Sequence, residues 1–504
     1  MMGIEMKRFL VIAIVIGAMG SVVCSRQAYA QQLENTPSEE TGSIPLKDLE
    51  MAPLMDDQTD ESTELRPTTD LRSIEKPVKK IDRVIDTIET GKETRETTLT
   101  TQATQTTRNV HSVAEEQNAS KDLFQKKLNE SEKKQPEKPF EKPRAPISVI
   151  AGMPPVIDPS NLYSETTPEH IKPEVAKDLA RVYVPNLRSN DVWVIDPATN
   201  KVVDRFRVGK SPQHVVPSWD LRTLWVTNNA EGTTDGSLTP INPRTGRPGP
   251  SIPVDDPYNM YFTPDGHSAI IVAEARHRLD FRDPHTMALQ QSLETPGCLG
   301  INHAAFSIDG RYAIFTCEFG KRLVKIDTVH KKVLGYLKLS AGGMPQDILI
   351  SPDGKTFYVA DMMADGVFLI DGDAFKEKGF IHTGVGTHGL YPSRDGTKMY
   401  VANRGSHKVH GTPHSPYGSV SVIDFHTNKV IAHWSIPGGG SPDMGNVSAD
   451  GKSLWLSGRF DDVVYRFNTV NGSVVSIPVG LEPHGLTVWP QPGRYSIGHT
   501  GILH

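Results

Sequence analysis

The sequence predicts an all-β fold, a seven-bladed β-propeller, and three observations support this prediction. A turn of the Ser-Pro-Asp-Gly type recurs along residues 181–504, an apolar strand follows each turn, and the two ends of this region complete one another. A fixed period of a few tens of residues is typical of propellers and solenoids. The three observations are taken in order below.

The recurring turn is recognised by a central aspartate two residues after a Ser or Thr. Successive turn aspartates are 45, 44, 44, 42 and 55 residues apart. The sixth repeat is therefore longer than the others. The six turn aspartates are Asp220, Asp265, Asp309, Asp353, Asp395 and Asp450.

Each turn is followed by a strand rich in β-branched and aromatic residues, such as 224–228 or 399–403. A third strand ends in an Asp or Asn that opens another turn, as at Asp327 or Asp424, and a fourth strand returns. Four short antiparallel strands per repeat correspond to one propeller blade.

The two ends of the repeat region supply complementary parts of one blade. Strand 182–186 has the pattern of a second strand, but nothing before it resembles a first strand. The missing first strand is present at the other end, in 483–488. Pairing these segments closes the ring and removes exposed sheet edges, whereas a solenoid would not need its last strand to complete its first unit.

The residues before the propeller divide into three segments. Residues 1–30 have the basic start, short apolar run and Ala-x-Ala site of a signal peptide, with an uncleaved anchor as the alternative. Residues 31–145 are polar and poor in aromatics, which predicts a disordered stalk. Residues 146–180 predict a Pro-rich linker and packing arm. We expect an exported protein, periplasmic or extracellular, with no stable membrane span after cleavage.

The charge and the cysteine content restrict which partners and which cellular compartment are expected. The 504-residue chain has a formal net charge of −6 and no basic patch in the propeller, so nucleic acid is not an expected partner. Signal cleavage leaves Cys298, just before the first strand of its blade, and Cys317, at the end of the adjacent second strand, about four residues out of register, so that the loop before Asn302 must fold back to bring them together. A disulfide between them is predicted in an oxidising compartment, with two free thiols as the alternative.

The ends of several second strands resemble a known repeat. At Tyr183-Val184-Pro185-Asn186, Trp225-Val226-Thr227-Asn228 and Tyr400-Val401-Ala402-Asn403, the sequence resembles the YVTN-repeat seven-bladed propellers of exported proteins. This family is related to the haem-binding propeller of cytochrome-type nitrite reductase. The wider group also includes surface-layer proteins and sugar-lactone hydrolases, so the resemblance implies the fold and leaves the function open.

The topology predicts a functional surface on one face of the ring. Residues that open each first strand and residues just beyond each second strand converge at what we call the upper face. Four blades contribute a histidine there, which suggests ligand or metal binding in a water-filled funnel. The predicted ligand-binding residues are His214, Asn259, His303, Gln346, Asp347, His388, Asp443, His484, Arg276, Glu318, Asp361, Arg404 and Arg459.

The insertion in the sixth repeat carries three histidines, His407, His410 and His414. By the same topology this loop overhangs the upper face, where it could ligate a metal or haem or cover a ligand. A solvated surface loop is the alternative. His285, His330 and His426 fall in turns of the opposite, lower face and are assigned no chemistry.

The motifs leave three functions open. No nucleophile elbow, phosphate-binding loop or His-Glu-x-x-His is present, so the catalytic residues and the enzyme class stay unknown. The leading hypothesis is a binding scaffold that presents the upper face to a small ligand or a protein. The alternatives are a haem- or metal-dependent redox or carrier protein, and a lactonase-type hydrolase with calcium held by Glu318, Asp361 and Asp443.

Overall fold

The computed structural model of the protein describes residues 157–405 and 417–498. The predicted signal peptide, the predicted stalk, the first part of the linker and the histidines His407, His410 and His414 lie outside the described residues. Within the described ranges the chain forms seven antiparallel sheets, six with four strands and one with five. The predicted seven-bladed propeller is therefore confirmed.

The strands follow the chain blade by blade. Blade 1 contains β1 (Arg181–Asn186), β2 (Asp191–Asp196), β3 (Lys201–Arg207) and β29 (Thr487–Trp489). Blade 2 contains β4 (Pro212–Pro217), β5 (Leu224–Asn228), β6 (Ser237–Asn242), β7 (Arg247–Pro248) and β8 (Ile252–Pro253). Blade 3 contains β9 (Pro257–Phe262), β10 (Ala269–Ala273), β11 (Arg278–Arg282) and β12 (Leu289–Glu294).

The remaining four blades repeat this order. Blade 4 contains β13 (Ile301–Phe306), β14 (Tyr312–Cys317), β15 (Arg322–Asp327) and β16 (Lys332–Lys338), and blade 5 contains β17 (Pro345–Ile350), β18 (Thr356–Asp361), β19 (Gly366–Asp371) and β20 (Lys376–His382). Blade 6 contains β21 (Thr387–Pro392), β22 (Lys398–Asn403), β23 (Ser419–Asp424) and β24 (Lys429–Ser435). Blade 7 contains β25 (Pro442–Val447), β26 (Ser453–Gly458), β27 (Val463–Asn468) and β28 (Val474–Pro478).

Burial falls from the centre of the ring outwards. Every residue of the inner strands β4, β9 and β13 is buried, and so is every residue of the second strands β5, β10 and β14. The outer strand β3 instead alternates between exposed and half-buried residues. These inner strands have a neighbouring blade on both faces, so all of their residues are buried, including polar ones such as His214 and Asn302, whereas the outer strand has one face in solvent.

Side-chain hydrogen bonds within the recurring turn explain its sequence. In each of the six turns the Ser or Thr hydroxyl donates a hydrogen bond of 2.5–2.8 Å to the turn aspartate. The same hydroxyl accepts a bond of 2.9–3.1 Å from the N–H five residues later. The pair therefore fixes the turn at the lower face between the first and second strand of each blade.

The ring closes as predicted, with a shorter strand than expected. In β29, Thr487 pairs with Tyr183 and Trp489 with Arg181 of β1. Before β29 the closing segment contacts both blades, because the His484 N–H donates to the Pro185 carbonyl of β1 at 3.1 Å and the Val215 N–H of blade 2 donates to the Gly485 carbonyl at 2.9 Å. Gly485 is needed there because a Cβ at this position would overlap the His214 ring. The closing segment therefore joins the first blade and braces the second.

The outer strand of blade 2 is divided in two. β7 and β8 both pair with β6 but are separated by Gly249, Pro250 and Ser251. Proline has no N–H to donate to the ladder and is tolerated at a sheet edge. The sequence between them therefore breaks the fourth strand without opening the blade.

The segment before β1 packs on the lower face of the ring. It contains two 3₁₀ helices, Pro168–His170 and Val175–Lys177. The Leu162 N–H donates to the Ile308 carbonyl at 2.7 Å, and the Tyr163 hydroxyl donates to the Phe306 carbonyl at 2.8 Å. Glu165 pairs with Arg494 of the C-terminal segment at 3.3 Å. We call residues 157–180 the arm.

The two propeller cysteines form the predicted disulfide. Cys298 precedes β13, Cys317 ends β14, and their Cα atoms are 4.9 Å apart. The bridge ties the start of the innermost strand to the end of its antiparallel neighbour at the upper face. None of the helices in residues 157–405 and 417–498 is long and apolar enough to cross a membrane.

Candidate functional site

The upper face is assembled from irregularities at the start of the innermost strands. The ladder between first and second strand shifts register at this point in blades 2 to 7. A β-bulge leaves residues unpaired and turns their side chains away from the ladder. The residues at this position are Gln213, Tyr258, Asn302, Gln346, His388 and Asp443, and His484 has the same place before β29.

These side chains are buried, which corrects the predicted water-filled funnel. His214, His303 and His484 are 0% exposed and His388 is 1% exposed. The reason is that the inner strands of seven blades converge and their side chains pack against one another. The rings of His214 and His484 have centroids 4.8 Å apart, and those of His214 and His303 are 5.3 Å apart.

Asp443 is the centre of the most charged part of this face. Its Oδ1 lies 2.7 Å from His388 Nδ1 and 2.8 Å from Arg404 Nη2. Its Oδ2 lies 3.7 Å from His484 Nε2 and 3.9 Å from Arg459 Nη1. These five residues are called the Asp443 cluster.

The two imidazoles of the cluster are neutral at ordinary pH. Burial lowers the pKa of His388, and the Arg404 charge lowers it further although Asp443 opposes this. Burial and Arg459 hold the pKa of His484 well below its ordinary value. Burial would raise the pKa of Asp443, but Arg404 and the imidazoles outweigh it and hold that pKa well below its ordinary range. The cluster therefore combines a carboxylate, two guanidiniums and two neutral imidazoles.

The arginines of the cluster extend towards the rim. Arg459 Nε donates to Glu482 at 3.2 Å, and Glu482 also pairs with the exposed Arg188 at 2.7 Å. Both cluster guanidiniums lie within 5.8 Å of the half-buried Phe460 ring. The sequence prediction missed Glu482 and Phe460, although Phe460 directly follows Arg459 and Glu482 lies two residues before His484.

On the side of the upper face formed by blades 3 and 4, the carboxyl groups of Glu274 and Glu318 lie next to each other. Burial raises the pKa of Glu274 well above its ordinary value, and the charge and hydrogen bond of Glu318 add to the shift. Glu318 also accepts a bond from Asn302 Nδ2 at 2.8 Å. Tyr258, which the sequence prediction also missed, packs between His214 and His303.

Some predicted residues have structural partners instead. The Asp361 carboxylate accepts hydrogen bonds from the backbone N–H groups of Gly343, Met344, Met363 and Ala364. Asp361 ends its second strand, as Asn186, Asn228 and Asn403 end theirs, and those amides likewise bond to their own blades. The aspartate is thus the counterpart of the last residue in the YVTN repeat.

Other predicted residues join blades or lie apart. Asp347 accepts from the Leu390 N–H at 2.9 Å and so ties blade 5 to blade 6. Asn259 contacts His303 at 3.3 Å, and Gln346 is buried with no hydrogen-bond partner for its Nε2 among the described residues. Arg276 pairs with Asp255 at 3.1 Å and is not part of the Asp443 cluster.

The predicted calcium ligands are not brought together. Among residues 157–405 and 417–498, the one group of three with metal-binding atoms in reach is His388, Asp443 and His484, whose atoms lie within 4.8 Å of one another. Glu318 and Asp361 are outside this group. The calcium hypothesis therefore has no support in the geometry.

The architecture and its polar centre define the class of protein as a closed repeat propeller with a charged upper face. A family model described as YNCE-like beta-propeller matches residues 138–492. The chain belongs to this YNCE-like β-propeller family. The repeat family predicted from the strand ends is thereby confirmed.

Solved structures show the same fold at low sequence identity. The periplasmic gluconolactonase of Pseudomonas aeruginosa is 17% identical, with a TM-score of 0.51, over 62% of this chain and 99% of its own. A putative 6-phosphogluconolactonase from Bacteroides uniformis is 17% identical, with a TM-score of 0.50, over 61% and 99%. The dihydro-haem d1 dehydrogenase NirN is 14% identical, with a TM-score of 0.47, over 70% and 82%, and supports no functional argument. No curated protein matches this sequence.

Proposed function

We propose that the protein is an exported propeller that binds a small polar ligand at the Asp443 cluster. The observation that supports this is a set of buried atoms without hydrogen-bond partners among the described residues: both ring nitrogens of His484 and Oδ2 of Asp443. Buried polar atoms are nearly always paired, by protein, water or ligand. A ligand group placed beside His484 Nε2 and Asp443 Oδ2 would satisfy both.

The energetics of the cluster also favour a function. A buried ion pair is rarely a net source of stability, because removing its charges from water costs about as much as their attraction returns. Groups with strongly shifted pKa values concentrate at functional sites. His388, Asp443 and His484 all have such shifts.

The chemistry of the cluster describes the ligand. Asp443 Oδ2 accepts a hydrogen bond, so the ligand carries a hydroxyl or amine donor. Arg459 lies towards the rim, with 15% of its side chain exposed, and donates readily to a carboxylate or carbonyl. A small molecule with both kinds of group fits this arrangement.

Native mass spectrometry of the protein purified from its own host tests the proposal. We expect a bound mass above that of the polypeptide in the wild type, lost in His484→Ala. The matched control is His330→Ala, which removes an exposed imidazole paired with Asp327 on the lower face. A wild-type mass equal to that of the polypeptide, or a bound mass that survives in His484→Ala, would contradict the proposal. Water would then be the hydrogen-bond partner of His484 and Asp443.

A divalent transition metal is the second candidate. It is favoured by two neutral imidazoles and a carboxylate within 4.8 Å of one another, which is a donor set that zinc accepts. Arg404 and Arg459 oppose it, because their charges repel a cation beside Asp443. The direct contacts among the His214, His303 and His484 rings leave no space for a haem between them.

Calorimetric titration of the metal-stripped protein with Zn²⁺ separates the two candidates. A metal site predicts one equivalent bound in the wild type and none in His388→Ala or His484→Ala. Titration that gives no heat, with an organic mass retained in the native spectrum, would favour the small ligand.

Export is part of the proposal. The disulfide between Cys298 and Cys317 supports it, because disulfides persist in oxidising compartments. Fractionation of the host should recover the protein outside the cytoplasm, and a cytoplasmic location would contradict this part.

A further inference from the structure

A cavity lies on the lower face of the ring, at the opposite end from the Asp443 cluster. Its volume is about 170 Å³, and it lies between the inner-strand ends of blades 5, 6 and 7 and the arm. Thr166 and Tyr163 of the arm form one wall, and Ile350, Pro392 and Val447 form the other. None of the residues of the Asp443 cluster lines it.

The size and lining of this cavity suit one small apolar group. An engineered cavity of about 150 Å³ lined by apolar side chains binds benzene. Ligand sites are typically apolar with a few polar groups that fix orientation. Here the apolar wall is formed by inner-strand residues, and the charged group at its edge is the guanidinium of Arg394.

Arg394 is a half-buried cation whose acceptors are all neutral. Its guanidinium donates to the carbonyls of Ser448 at 3.2 Å, Val447 at 2.9 Å and Thr166 at 3.4 Å, and to the side-chain carbonyl of Gln491. Burial lowers its pKa to about 10. A guanidinium away from water is normally paired with an anion.

The neighbouring carboxylate does not supply that anion. Asp395 also borders the cavity, but its Oδ1 accepts from the Ser393 hydroxyl at 2.5 Å and from the Thr397 N–H at 3.0 Å. It is exposed and belongs to the recurring turn. Its oxygen is therefore engaged in the turn rather than in an ion pair with Arg394.

We propose that the lower-face cavity binds a small monocarboxylate whose apolar part is a single ring or a short branched chain, with Arg394 facing the carboxylate. The apolar part occupies the space between the arm and the inner strands, and the carboxylate accepts from the Arg394 guanidinium, whose hydrogen-bond acceptors in the protein are neutral and on which the exposed Asp450 acts only through its charge. This site is separate from the upper-face ligand of the proposed function, and neither depends on the other.

Isothermal titration of the full chain with benzoate tests the proposal. Benzamide, which has the same shape and no charge, is the matched control ligand. We expect one benzoate per chain and binding of benzamide weaker by roughly tenfold or more, because a charge-assisted bond to Arg394 is lost.

Three variants locate the site. Arg394→Gln removes the charge, and Thr166→Phe fills the cavity from the arm without changing a blade. Both should weaken benzoate binding by roughly tenfold or more. Arg459→Gln, on the upper face, should leave benzoate binding unchanged.

Three results would overturn the proposal: no heat from benzoate, wild-type affinity in Thr166→Phe, or loss of binding in Arg459→Gln with retention in Arg394→Gln. The last result would assign benzoate to the upper face. If Arg394→Gln fails to fold, Thr166→Phe decides the question, because Thr166 makes only a 3.3 Å side-chain bond within the arm.

Discussion

Asp443 holds a full negative charge at a position with no solvent exposure. Its charge is balanced by Arg404, and its oxygens are shared with His388 and His484. Arg404 and His388 come from blade 6, His484 comes from the closing segment of blade 1, and Asp443 itself belongs to blade 7. A change at this one residue is therefore felt by three blades.

Asp443→Asn should lower the free energy of unfolding by about 3 to 5 kcal/mol, because it removes the counter-charge of the buried Arg404 guanidinium, while Arg459 keeps its pairing with Glu482. Chemical denaturation monitored by tryptophan fluorescence measures the change. The matched control is Asp353→Asn, whose side chain is 59% exposed and keeps an acceptor oxygen, so it should change stability by no more than about 0.5 kcal/mol. An equal effect from both changes would show that the cluster is not a charged network.

The neutral histidines predict how stability depends on pH. His388 and His484 have folded pKa values below 6.5, so the unfolded chain binds more protons than the folded chain as the pH falls beneath that value. Stability is fully present above the unfolded pKa and is lost as the pH falls towards the folded pKa, with a slope of up to about 1.4 kcal/mol per pH unit for each histidine. Melting temperatures measured from about pH 7 to about pH 5 should fall, and the fall should be smaller in a His388→Gln/His484→Gln variant.

The matched control for this prediction is His330→Gln, which removes an exposed imidazole on the lower face. Its melting temperature should follow that of the wild type across the same range. A double variant with the wild-type slope would show that other groups cause the acid sensitivity.

The sequence located the members of the Asp443 cluster because they recur at two positions of the repeat, the start of the first strand and the residue after the second strand. It could not show that they are buried, since burial depends on how side chains from different blades pack. Asp361 looked like a ligand because it ends a second strand at the upper face. Its four backbone donors come from the preceding loop and its own turn, which no pattern in the sequence indicates.

Strands and turns are the parts of the fold that the sequence predicted best. The Ser-to-Asp turn is local, since the hydroxyl and its partners lie within five residues, and so it leaves a sequence pattern. The bulge that opens each inner strand leaves a weaker pattern. It is set by the twist of the blade and by contact with the neighbouring blade, which are not local properties.

The disulfide joins two elements of blade 4, and its removal allows a prediction about stability. Replacing Cys298 and Cys317 by Ser should destabilise the protein by about 3 kcal/mol in the chain-entropy model, since the loop that it closes is of moderate length. The sequence separation of the two cysteines is 19 residues. Denaturation of the oxidised protein and of the double variant measures the difference.

Two controls make this prediction decisive. A reducing agent should shift the midpoint of the wild type and leave that of the double variant unchanged. Thiol titration of the unfolded, unreduced wild type should find neither cysteine free. Two free thiols at 298 and 317 would contradict the disulfide.

For the whole molecule, closure of the ring is the central feature. The prediction of seven blades succeeded because the start of the repeat region lacks the innermost strand of blade 1 and the closing segment at its other end supplies that strand. The continuous strand β29 is shorter than predicted, because Gly485 bonds to blade 2 although Pro483 and His484 before it still bond to β1. Sequence patterns count strands well, but they do not show which of two neighbouring blades a segment contacts.

Ending the chain after Glu482 should abolish cooperative unfolding and cause aggregation. The first blade then lacks β29, and the inner edge of β1 is exposed at the centre of the ring. Size-exclusion chromatography and calorimetry measure both effects. Deletion of residues 31–145 is the control and should leave the melt unchanged. A truncated protein that is monomeric and melts as the wild type does would contradict closure as the source of stability.

The pairing of Thr487 with Tyr183 also has a kinetic consequence. Strand β1 is synthesised before the other six blades, whereas its innermost partner β29 is synthesised after them. Contacts between such distant residues form slowly, because a long loop must close before they are made. Until then the inner edge of blade 1 is a template for pairing with another chain. Folding of the ring is therefore expected to be completed only after β29 has been synthesised, with the greatest risk of aggregation before that point.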